Sequence, residues 1–128
     1  MRKLFKLNII LFALAAFVSM GAIQSYAGEN YKALYEKTIK TNDGIRHQIK
    51  VVKKKLAAAH YEKFAKAKAI MGDVNDQIKY ANRVRKKAEK LAKEGKYKAA
   101  YLWSYQEFQY LVKAVVKLNV INNLITSK

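Results

Sequence analysis

Five cations recur along one stretch of the chain: Lys79, Arg83, Lys86, Lys90 and Lys93. Steps of three and four put them on one face of a helix, with the apolar positions of the same stretch opposite. From first to last they span about 21 Å of helical rise. A row of that kind can follow a phosphate or sulfate polymer and release its counterions. Only Glu94 shares the face. Arg46, Lys50 and Lys54 repeat at steps of four earlier in the chain and would extend the same patch. The plain alternative is that lysine merely solvates the outside of a helix. Between Gly28 and Lys128 there are 20 lysines but only Arg46, Arg83 and Arg85. Lysine is a hydrated point charge and arginine a bidentate fork, so this balance favours diffuse, salt-sensitive attraction over recognition of one head group.

Other residue types that do chemistry are poorly arranged for it. His47 and His60 are thirteen apart, off a shared helix face, and have no cysteine or paired carboxylate beside them. They do not form a metal site; His60 falls within an apolar stripe and reads as a hydrogen-bonded edge of the core. Asp73 and Asp76 suit the first turn of a helix, with Asp73 as its N-cap. No glycine-rich phosphate loop, nucleophile elbow or haem motif is present. The expectation is a binding protein without a cofactor, not an enzyme. Tyr97, Tyr101 and Tyr105, with Trp103 and Tyr110 nearby, could stack on sugars or bases. The spacing favours rings that fill a core and turn their hydroxyls outward.

The elements that must position these residues are helical. Proline is absent, and Ala, Lys, Leu and Glu abound. A short helix is expected over Asn30–Lys40, with "TNDG" at 41–44 as a turn or a weak spot in one longer helix. A second helix is expected over Ile45–Met71, on the stripe Ile45, Ile49, Val52, Leu56, His60, Phe64, Ala67 and Met71. "MGD" at 71–73 then closes it. A third runs over Val74–Glu94, with Val74, Ile78, Ala81, Val84, Ala88 and Leu91 inward, and ends at Gly95. A fourth runs from Lys96 to Ile125. Its Tyr101, Ser104, Phe108, Leu111, Val115, Leu118, Asn122 and Ile125 make a coiled-coil-like seam, widened by Leu102, Val112 and Val116. Short links favour antiparallel neighbours. The fold class is therefore all-α: a small antiparallel bundle of three long helices plus a short N-terminal helix.

"EGKYKAAYLW" at 94–103 resembles the helix–turn–helix join of a tetratricopeptide repeat through Gly95, Tyr97 and Ala100, with Ala88 and Leu91 where the first helix of the pair packs. The likeness covers under a quarter of the chain. It departs at Ser104 and Glu107, where the family has an aromatic and a small residue, and no 34-residue period follows. What it implies here is a tight helical hairpin.

Arg2, Lys3 and Lys6 precede an apolar run, "IILFALAAFVSMGAI", at 9–23. Ser25 and Ala27 then occupy the small-residue positions of a cleavage site. The expected organisation is a signal peptide at 1–27 and a single helical domain at 28–128. The location would be periplasmic or secreted, the alternative being an inner-membrane anchor at 7–27. Without cysteine there is neither a lipid-modified N-terminus nor a disulfide, so stability rests on the core. Removing Arg2, Lys3 and Lys6 leaves 23 basic against 9 acidic residues, a net charge of +14. Such a balance favours anionic partners: lipopolysaccharide, anionic lipid or nucleic acid. The rival reading is a chaperone-like or protein-interaction module that docks or oligomerises through Phe108–Ile125. Membrane lysis by the basic third helix is a weaker third, because a folded bundle hides the apolar face.

Overall fold

The computed structural model describes residues 30–127. It comprises α1 (Tyr31–Ala58), α2 (Ala65–Lys93) and α3 (Tyr97–Thr126), with a 3₁₀ turn at Tyr61–Lys63 between the first two. No strand occurs among the described residues. The expected signal segment, its expected cleavage site and the alternative anchor lie outside them. No described helix is long and apolar enough to cross a membrane.

The helices form an up–down–up bundle. Asp43 meets Arg85, Arg46 meets Asn82 and Lys53 meets Asn75, so α2 runs antiparallel to α1. Tyr80 against Tyr110 and Asp73 near Lys117 set α3 antiparallel to α2. The third helix is central: it packs closely on both others, whereas α1 and α2 reach each other mainly through long polar side chains. All eight seam residues of α3 are buried, as is Val112. Phe108, Leu111 and Leu118 meet Ile45, Ile49 and Leu56 of α1 and Met71, Val74 and Ala81 of α2 in one core. Leu102 and Val116, expected to widen the seam, are instead exposed.

Two expected breaks are absent. The first helix runs through "TNDG", so the short helix expected at 30–40 is the beginning of α1. The side chains suited to capping there have other partners. Thr41 Oγ1 donates back to the Lys37 carbonyl, Asn42 reaches across to α3, and Asp43 pairs with Arg85. The start of the helix is capped by Asn30, whose Oδ1 accepts from the Ala33 N–H. Likewise α2 runs through Gly72; Asp73 is no N-cap, but lies 3.8 Å from Lys117 of α3.

The actual break falls at 59–64, inside the stretch expected to be one helix. His60 takes a left-handed conformation, φ 58°, and its side chain is exposed instead of edging the core. Tyr61 and Phe64 then pack against the core and pin the turn. At the other turn Gly95 has φ 76°, with Lys96 N–H donating to Leu91 O and Gly95 N–H to Ala92 O. This is a Schellman closure, in which glycine avoids the Cβ clash of the left-handed region. The tight hairpin implied by "EGKYKAAYLW" is present, with Ala88 and Ala100 buried on either side.

Candidate anion-binding face

Lys79, Arg83, Lys86, Lys90 and Lys93 are all exposed on α2. The amide partners from α2 show which way this face looks. Asn75, Lys79, Asn82, Lys86, Glu89 and Lys93 follow one another at steps of four and three, so they share an arc of the helix. Asn82 accepts from Arg46 Nη1 at 2.6 Å, and Asn75 accepts from Lys53 Nζ at 2.8 Å. The arc therefore borders α1. Lys50 lies between Arg46 and Lys53 along α1, and Lys79 lies between Asn75 and Asn82 along α2. The antiparallel register sets these two lysines on opposite banks of one groove. The two cationic rows noted in the sequence are neighbours, with Lys54 on the outer edge of the α1 row. Arg83 and Lys90 take the outer edge of the α2 row, Arg83 with its guanidinium 5.8 Å from the Tyr80 ring centre.

Among the described residues, Lys50, Lys54, Lys79, Lys86, Lys90 and Lys93 have no carboxylate at ion-pair distance. The reason lies underneath. Glu107 of α3 is wholly buried where the three helices meet. Its Oε2 accepts from Arg46 Nε at 2.8 Å and from Arg85 Nη1 at 2.9 Å, with Arg46 Nη2 in ion-pair contact at 2.7 Å. Its Oε1 receives Asn42 Nδ2 at 2.8 Å, which also donates to the Ser104 carbonyl. Arg85 binds Asp43 at 2.9 Å and Glu89 at 3.2 Å as well. Burial alone would lower the Arg85 pKa, but Glu107 and Asp43 outweigh it and hold the pKa above the ordinary arginine value. This cluster uses two of the three arginines among the described residues, and three carboxylates. Arg46, expected as a polyanion contact, is instead held against Glu107, which it shares with Arg85, and among the same residues the lysines around it make no ion pair.

Of the residues that build this junction the sequence singles out only Arg46, and for a different role, whereas Glu107 stands out only as a departure from the repeat-like pattern. Arg46 is 61 residues away and Arg85 is 22, so no local spacing announces the cluster.

Between the two banks opens a cleft of about 440 Å³. Ile49, Ile78 and Leu111 line it together with Arg46, Lys50 and Lys53; Asp43 and His47 complete its wall. A second recess of about 470 Å³ lies between Tyr35, Tyr97, Glu36, Glu89 and Lys93, where two carboxylates disfavour an anion. Burial first, then Glu89, raises the Tyr35 pKa, so its phenol stays neutral. The aromatic residues pack mainly on one another: Tyr105 stacks on Phe108, and Tyr31 meets Tyr101. Lysines cap several rings, with Lys87 Nζ 4.5 Å above Trp103. Comparison with known proteins gave no match of this chain to a family model, a curated protein or a solved structure.

Proposed function

We propose that this is an exported, non-enzymatic basic helical protein that binds anionic polymers or envelope components through the α1/α2 face. One observation carries the reading. Lys79, Lys86, Lys90 and Lys93 form an unpaired cationic row beside Lys50 and Lys54, while the nearby carboxylates are taken up by Arg46 and Arg85. Like charges gathered on one face raise the energy of the free protein slightly and are relieved when an anion binds. Lysine predominates, so the attraction is long-ranged, weakly selective and steeply dependent on salt. Lipopolysaccharide, anionic lipid and nucleic acid all offer the required dense negative charge, and the periplasm or the cell exterior is where such a protein would meet them.

The test is to change Lys79, Arg83, Lys86, Lys90 and Lys93 to glutamine and compare heparin and DNA affinity with a charge-matched variant. That control replaces Lys37, Lys40, Lys63, Lys66 and Lys113, which stand outside the rows. The reading requires the first variant to lose far more affinity than the second. Equal losses would reduce the face to a solvated surface in a generally basic protein.

A further inference from the structure

We infer that the outward face of α3 is a two-fold interface on which a second copy of this chain packs antiparallel, with Leu102 of one copy against Val120 of the other. This goes beyond the proposed polyanion binding and does not depend on it, because the residues involved lie on a different face.

Four large apolar side chains are exposed among the described residues: Tyr80, Leu102, Val116 and Val120. Apolar residues scattered singly over a surface need no explanation. These are not scattered, because the last three lie along one line of α3. Leu102, Gln106, Gln109, Lys113, Val116 and Val120 follow one another at steps of four and three, the spacing of a coiled-coil seam. All are exposed except Gln106, which is partly so, and they lie on the side of α3 turned away from α1 and α2. The order of the steps reads the same from either end. A two-fold axis at the level of Leu111 therefore sets Leu102 opposite Val120, Gln106 opposite Val116 and Gln109 opposite Lys113, each pair occurring twice. Two apolar clusters result, and Lys113 faces a neutral amide in place of a second lysine. Charge opposes association in so basic a chain, but it is light on this helix. Of the 20 lysines between Gly28 and Lys128, α3 holds Lys98, Lys113 and Lys117. Each is drawn to a partner beside the strip: Lys98 Nζ lies 5.8 Å from the Tyr31 ring centre, Lys113 Nζ 5.6 Å from that of Tyr110, and Lys117 Nζ 3.8 Å from Asp73. The lysine rows stand on α1 and α2, behind α3 in both copies. Two helix diameters, about 20 Å, separate them across the junction, more than twice the Debye length of about 8 Å at physiological salt. The strip is narrow, so the dimer is weak, with a Kd on the order of 10–100 µM.

The experiment is sedimentation equilibrium of the native protein from about 1 to 500 µM at physiological salt, with no polyanion present. The mass is expected to rise from that of one chain toward that of two. Val116→Gln with Val120→Gln, at exposed positions, should weaken association about tenfold or more, since four valines per dimer lose their apolar contact. The register has its own readouts. Gln109→Glu puts a carboxylate opposite Lys113 twice and should tighten the dimer; Gln109→Lys puts lysine opposite lysine and should loosen it. The chain has no cysteine, so Leu102→Cys with Val120→Cys introduces the only thiols. Under mild oxidation this double variant should give a disulfide-linked dimer, and neither single variant should. Within one copy the two positions are about 27 Å apart along the helix, too far for an internal bridge. A mass of one chain throughout the concentration range overturns the inference, as does association that the valine variant leaves unaltered. Efficient cross-linking of Leu102→Cys alone overturns the antiparallel register.

Discussion

Glu107 shows how one residue can organise a basic surface from beneath. A buried carboxylate is costly unless paired, and here it has two guanidiniums and an amide. Glu107→Gln removes the charge but leaves both arginines partly buried. It is expected to lower unfolding free energy by about 3 kcal/mol, as measured by urea titration. A double-mutant cycle with Arg46→Gln should give a coupling of about 1–3 kcal/mol. Near-additive effects would mean the contact contributes little. His60 illustrates the opposite case, a side chain whose backbone is unsuited to it. With φ at 58° and its ring exposed, His60→Gly should stabilise the protein by about 1 kcal/mol. An unchanged or lower melting temperature would argue against the left-handed turn.

At the scale of elements, the glycines separate two accounts of the chain. If Gly44 and Gly72 marked turns, alanine there would harm the fold. Both instead lie inside helices, and an added Cβ meets nothing within 4 Å. Gly44→Ala and Gly72→Ala should each stabilise by about 0.5–1 kcal/mol, read from denaturant midpoints. Gly95→Ala should instead cost about 1 kcal/mol, because its φ is 76°. The helical class, the end at Gly95 and every seam position of α3 were legible, since apolar period and a left-handed cap are local signals. The break at 59–64 was not. It contains neither glycine nor proline, and its only trace was a histidine interrupting an apolar stripe across three alanines at 57–59. "TNDG" misled for a related reason. Its Asn42 and Asp43 side chains are claimed by Glu107, Ser104 and Arg85, and those contacts belong to tertiary structure.

For the whole molecule, the apolar and the cationic features have separate destinations. The α3 seam is buried inside one bundle, leaving Val116 and Val120 as the exposed large apolar residues of Phe108–Ile125, the segment that the rival docking reading needs. The lysines of α1 and α2 form a continuous outer face, and the candidate residues legible in the sequence as two rows prove to flank one groove. Their adjacency was not legible, because it depends on the antiparallel register fixed by Arg46–Asn82 and Lys53–Asn75. The most direct test of the account is the salt dependence of duplex DNA affinity for the native chain and for the variant with Lys79, Arg83, Lys86, Lys90 and Lys93 changed to glutamine. Each lost phosphate contact should reduce the slope of log K against log salt by about 0.9. A slope that flattens by several such steps, with the fold intact by circular dichroism, is the expected result. Native-like affinity and slope in the variant, or no measurable binding by the native protein near physiological salt, would contradict the claim that this face binds polyanions.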